Sequence, residues 1–290
     1  MSAMVAVVAA RLTFDAAAVV LFGASCFLDW MAPKNLVTSL AALAAKIRLL
    51  LIVTCLAAVS WLPFDAAAIA GNWRAGADLQ FLQALALGTS GGHAWMPRCL
   101  LAFAAAVIFG LRIDRLRSLA AGLLVASLSL SGHTLLQSGA LMTVHAINDA
   151  WHVLAGAIWL GSLILLPTCL TLLDHPELYR DARIALQRFS RIGHGAVAVV
   201  ILTGVVNSVL ILAHWPTRPI SPYVALLGLK IVLVVAMTAL AVINRYVFVP
   251  RIQFDRAKAI AQIKVGTWSE VVLGAGVLTL VATFGVLDPH

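Results

Sequence analysis

Short segments holding nearly all of the charge divide this chain into apolar runs of about bilayer length. A hydrocarbon core of ~30 Å takes about 20 residues of helix or about 10 of tilted strand, and only helices and closed barrels satisfy their backbone groups inside it. The runs here have helical length. Composition agrees, since 62% of the 290 residues are hydrophobic, 11% are charged and the mean hydropathy is +1.00, which excludes an ordinary soluble domain. Crossings are predicted at about residues 4–30, 47–70, 97–112, 118–138, 146–170, 190–213, 223–248 and 267–286. The expected fold is all-α, a polytopic integral membrane bundle of about eight transmembrane helices forming one domain over 1–290.

The segment DLQFLQALALGTSGGHAWMP, residues 78–97, is the ambiguous one. Its apolar run is too short and too rich in glycine to span, so it reads as an interfacial or re-entrant piece. Charge supports that count. Fifteen basic residues occupy one set of loops: Lys34, Lys46 and Arg48; Arg112, Arg115 and Arg117; Arg180, Arg183, Arg188 and Arg191; Arg245, Arg251, Arg256, Lys258 and Lys264. The opposite loops hold Arg74, Arg98 and Arg218. Under the positive-inside rule the first set is cytoplasmic, which puts both termini outside. The net charge of +8 is then a topology signal, and no nucleic-acid partner is expected. The N-terminus lacks a cationic start and a small-residue cleavage site, so it reads as a retained first helix. Cys26, Cys55, Cys99 and Cys169 are scattered without CxxC spacing and read as packing residues.

In this topology His93, His133, His145, His152, His214 and His290 fall in the outer half or outer loops. Ionisable groups at hydrocarbon depth cost roughly 2.5 kcal/mol or more, so they face a cavity, a partner or a metal. At ~1.5 Å per residue, His133 lies ~7 Å and His152 ~9 Å below the outer surface. Their helices are joined by a short loop and are expected to be antiparallel neighbours. His145, Asp149 and His152 share a face at i, i+4 and i+7, continued by Trp159. His145 and His152 stand ~10 Å apart on a regular helix, too far to ligate one ion with bonds of about 2 Å. The compact arrangements are His133 with His152, Asp149 beside either histidine, and His145 at the mouth. The bland alternatives are an interhelical hydrogen bond for a histidine and a helix cap for Asp149.

His93 and Met96, three apart before Pro97, form a second outer pair of imidazole and thioether, ligands that suit copper, though each residue is also ordinary at a membrane interface. Lys230 and Glu270 are expected to form an intramembrane ion pair, Thr203 and Asn207 to bond between helices, and Arg11 to pair with Asp15.

The ordered segments GH in the fourth helix, HAINDAWHVLAGAIWLGSL, QRFSRIGHGAVAVVILTGVVNS, LGLKIVLVVAMTALAVINRYVFVPRI and SEVVLGAGVLTLVATFGVLDP resemble the bacterial copper resistance protein D (CopD) family. The likeness runs from about residue 118 to 290 and is weaker before that. The resemblance implies a multi-pass protein of the bacterial inner membrane that handles copper, as Cu(I) or Cu(II), with a periplasmic copper-binding partner of the CopC type. It also implies that the family's membrane histidines correspond to His133, His145 and His152. No CopC-like domain stands within these residues, so that partner is expected as a separate chain. The reading is of a non-catalytic protein that accepts copper from the periplasm and transports or relays it inward. One rival is a haem b electron-transfer protein with two axial histidines on adjacent helices. Another is a membrane scaffold that docks a periplasmic copper chaperone.

Overall fold

Where apolar side chains run on past one turn after another without a charge, the chain forms helices, and proline and glycine decide where those helices bend or stop. The computed structural model describes residues 2–130, 139–212 and 222–284. In order, the helices are α1 (Ala3–Cys26), α2 (Lys34–Ser39), α3 (Ala41–Ala70), α4 (Leu79–Gly88), α5 (Ser90–Gly110), α6 (Asp114–Ala126), α7 (Gly139–Leu163), α8 (Leu166–Thr171), α9 (Tyr179–Leu212), α10 (Pro222–Ile243), α11 (Val249–Arg251) and α12 (Arg256–Phe284). No strand occurs among the described residues. Six of these helices are long and apolar enough to cross a bilayer, and α7 with α8, bent by 41°, makes a seventh if counted as one span. Pro167 opens α8 and cannot continue the α7 ladder, which accounts for the bend. The expected crossing at 118–138 begins as α6, and its outer part lies outside the described residues.

Two helices begin well before their expected starts. α9 starts at Tyr179 and α12 at Arg256, each 11 residues ahead of the apolar run. Their first turns, YRDA and RAKA, carry charge, so hydropathy marks the span and not the helix. In the ambiguous segment, Asp78 caps α4 by accepting from the Gln80 and Phe81 N–H groups at 3.0 and 3.2 Å. Thr89 caps α5 by accepting from Gly92 at 3.0 Å. A 10-residue α4 rises only ~15 Å and does not span. It folds back on α5, where a Cβ on Gly92 would collide with the α4 backbone at Leu85 and Ala86.

α1 is the central post. In its most apolar stretch 56% of residues are buried, against 11% in α10, and it packs on α3, α6, α7 and α12. Lipid tails are as apolar as leucine, so helices in a membrane associate through close packing of small residues rather than through water exclusion. The α1–α7 contact shows this directly. A Cβ on Gly161 would run into the Val19 carbonyl and the Gly23 Cα, and one on Gly23 into Ala157 and Gly161. Ser162 Oγ lies 3.0 Å from the Gly23 carbonyl and 2.5 Å from the Ile158 carbonyl, tying the same crossing. α3 and α5 continue the bundle on one flank, α9, α10 and α12 on the other.

Segments expected on the cytoplasmic side meet at one end. Arg117 and Ser118, at the start of α6, bond Asp29 beyond the end of α1. Asn35 donates to Asp181 at 3.1 Å, and Arg256 reaches Asp174 at 3.2 Å. The loops that hold the basic residues thus share one face of the bundle, as the charge pattern requires.

Candidate functional site

The α7–α9 seam is laced by polar side chains in a stretch otherwise built of alanine, valine and leucine. Antiparallel pairing sets residue 148 opposite 207 and residue 152 opposite 203. Asn148 Nδ2 donates to the Asn207 Oδ1 at 2.7 Å and to the Thr203 carbonyl at 3.0 Å. Asn207 Nδ2 donates to Asp149 Oδ1 at 2.9 Å. The expected role of Thr203 and Asn207 as interhelical partners is therefore what the structure shows, with Asn148 and Asp149 as the groups they hold.

His152 is fixed from the same side. Its Nδ1 lies 3.0 Å from Thr203 Oγ1, and that hydroxyl donates its only proton to the Val199 carbonyl at 2.6 Å. Thr203 Oγ1 is then placed to accept from Nδ1–H, and the ring also bonds the Val200 carbonyl of α9. The ring lies over Gly204, where a Cβ would stand 3.3 Å from His152 Cε1, so a glycine leaves the ring its place. A hydrogen bond that fixes the tautomer and aims the other nitrogen is what metal-ligating histidines have as outer support.

His145, two turns earlier on the same face, is buried, and Asp149 lies between the two histidines. From α10, Lys230 stands within electrostatic reach of both Asp149 and His152, and Tyr223 within reach of Asp149. The expected Lys230–Glu270 pair is corrected by helix register. Glu270 on α12 accepts from Asn244 Nδ2 at 2.9 Å, and Asn244 is 14 residues, or ~21 Å, along the α10 line from Lys230. Glu270 is bound to Asn244, in the π-helical turn Asn244–Phe248, and to the Trp159 indole of α7. Gly266 lets Asn244 in, because any Cβ there would collide with the Asn244 amide. The α7 stripe from His145 to Trp159 therefore makes polar contacts over ~21 Å of its length.

The other predicted residues separate from this seam. His133, with His214 and His290, lies outside the described residues. His93 is exposed, and its Nε2–H donates to the Leu87 carbonyl at 2.8 Å, closing the end of α4. Met96 is 37% exposed on the same helix, which packs on α3, α4 and α6, whereas His152 of α7 faces α9. The structure does not bring His93 and Met96 to the α7 set. Among the described residues, no three His, Cys, Asp or Glu side chains converge as metal donors. Sequence reasoning overlooked Asn148 and Tyr223. The i, i+4 spacing of Asn148 and His152 was the available signal for the first, whereas Tyr223 enters only through the approach of α10.

Fold and site together define a polytopic α-helical membrane protein with an ionisable polar seam inside its bundle. The model for Copper resistance protein D-like, N-terminal domain, matches residues 1–144, and that for Copper resistance protein D matches residues 183–284. The chain belongs to the copper resistance protein D family. The likeness thus extends over the N-terminal half, where the motifs alone are weak. The Inner membrane protein YebZ of Escherichia coli (strain K12) is 35% identical over 158 residues, 54% of each chain. Copper resistance protein D of Pseudomonas syringae pv. tomato is 29% identical over 216 residues, 69% of each chain. The matched segment thus spans about half the length of the first and about two thirds of the second. No solved structure matches. The protein is a multi-pass inner-membrane protein of a family named for copper resistance.

Proposed function

We propose that this protein binds copper on the periplasmic side of the inner membrane and relays it inward, without catalysing a covalent reaction. The observation that carries the reading is His152, an imidazole at membrane depth held to α9 by Thr203 and the Val200 carbonyl. Neutral imidazole serves both copper oxidation states. In this reading both termini are periplasmic and the basic end of the bundle is cytoplasmic. Copper handed over by a CopC-like periplasmic protein passes inward to His145, which is buried, and then to His152 with Asp149 beside it. His133, expected at the same depth on the preceding helix, is the second imidazole. Inward of His152 the α7 stripe leads past Trp159 to Glu270, a carboxylate that extends the route towards the cytoplasm.

Two measurements test this. Uptake of isotopic copper into proteoliposomes, with and without reductant, is expected to exceed that of empty vesicles and to fall to their level in His152→Ala. Wild-type uptake equal to that of empty vesicles defeats the transport claim. Thr203→Val keeps the imidazole and removes its orienting oxygen, so copper affinity is expected to fall about 10–100-fold, the usual cost of losing an outer-shell partner. Titration of the purified variant with copper reads this directly, and an unchanged affinity removes Thr203 from the site. A Soret band in the visible spectrum, lost in His152→Ala, would transfer the site to haem b.

A further inference from the structure

A second polar site lies away from the histidine seam, where the beginning of α1, the end of α3 and the beginning of α5 meet. A cavity of about 290 Å³ is lined there by Arg11, Trp61, Asp65, Trp95 and Arg98, with Met4 and Ile69 at its apolar side. Arg98 is 2% exposed, lies 4.4 Å from the Trp61 ring centroid and 5.6 Å from that of Phe14, and donates to the Ser127 carbonyl at 3.1 Å. Arg11 lies 5.6 Å from the Trp61 centroid and 4.0 Å from Asp15 behind it. Trp95 Nε1 donates to the Ala58 carbonyl at 2.8 Å and holds α5 to α3. Two guanidinium groups and one carboxylate therefore line the same space, with two indoles as walls, and Asp15 buried behind the guanidinium groups makes the whole set neutral.

That set of charges selects its occupant. With Asp15 and Asp65 against Arg11 and Arg98 the lining carries no net charge, so a net-neutral occupant fits it best, and the guanidinium groups are the donors suited to a phosphate. Asp65 on the same wall disfavours a bare anion next to it and favours an ammonium group. The complementary molecule is a zwitterion carrying both phosphate and ammonium. The mouth of the cavity decides the source. Met4 and Ile69, which line it, are 50% and 64% exposed, so one side is an apolar surface of the kind that meets acyl chains. Tryptophan beside it is the residue type that gathers at the headgroup level.

We infer that this cavity is a binding site for one phosphatidylethanolamine molecule, its phosphate on Arg11 and Arg98, its ammonium on Asp65 and its acyl chains leaving past Met4 and Ile69. The site is built by the N-terminal half of the chain and does not depend on copper binding. In the proposed topology it faces the outer leaflet. Its role is to fix the splay of α1, α3 and α5 by filling the gap between them.

The full-length protein, reconstituted in vesicles of equimolar phosphatidylethanolamine and phosphatidylglycerol and then extracted, tests this by native mass spectrometry of retained lipid. The wild type is expected to retain phosphatidylethanolamine over phosphatidylglycerol by roughly fivefold, about the upper end of what one exposed ammonium–carboxylate pair contributes. Arg11→Gln is expected to reduce retention by a similar factor. Asp65→Asn keeps the phosphate contacts and is expected to bring the two lipids to parity. It is also the milder change should Arg11→Gln fail to fold. The same lipid pattern in the wild type and Asp65→Asn overturns the proposal. Free phosphoethanolamine or inorganic phosphate protecting the protein from thermal unfolding as well as the lipid does also overturns it, because the occupant is then a soluble phosphate compound.

Discussion

Replacing Gly161 by leucine is expected to abolish the folded protein. The α1–α7 crossing at this point has no room for a single Cβ, which would meet the Val19 carbonyl and the Gly23 Cα, both backbone atoms. Backbone cannot rotate away as a side-chain tip can, so the helices must part. Parting them strips Ser162 Oγ of its bond to the Gly23 carbonyl and opens the contacts that α1 and α7 bury along their length. Overpacking costs about 1–3 kcal/mol where side chains give way, and here the upper end is the minimum. Size-exclusion chromatography of the detergent-solubilised variant is the measurement. A monodisperse peak with a wild-type melting temperature would show that α1 and α7 do not touch as described.

Lys230→Met is expected to destabilise the bundle nearly as severely. It leaves Asp149 with its Asn207 hydrogen bond but without the cation on α10. An unpaired charge at this depth costs on the order of 3 kcal/mol. Asp149→Asn in the same chain removes the orphaned charge, so the double variant is expected to regain most of the loss. Thermal unfolding of the four proteins in a double-mutant cycle reads the coupling. Additive losses would separate Lys230 from Asp149 and remove it from the seam. The cycle also bears on the copper reading, because a cation next to a metal site opposes a metal cation and Asp149 offsets it.

Much of the fold is legible without coordinates, because a bilayer asks a simple question of a chain. A run such as LLLIVTCLAAV in α3 has no other way to satisfy its backbone at hydrocarbon depth, and Lys and Arg on one set of loops fix which ends face the same side. The caps at Asp78 and Thr89 were written in the chain as well, yet hydropathy looks past them. The candidate site was legible only by face. The spacing of His145, Asp149 and His152 places them on one stripe of α7, with the two histidines about two turns apart. Which helix that stripe meets is not written in α7.

The chain by itself determined the membrane class, the approximate spans and the polar face of α7, because each follows from the local sum of side-chain hydropathy and helical periodicity. The tertiary structure alone decided that Thr203 holds His152, that Lys230 stands within electrostatic reach of Asp149, and that Glu270 belongs to Asn244 and Trp159. The reason is register. A shift of one turn between two packed helices moves a side chain ~5 Å in depth, more than a hydrogen bond spans. That register is set by where glycines such as Gly161, Gly204 and Gly266 let two helices close up.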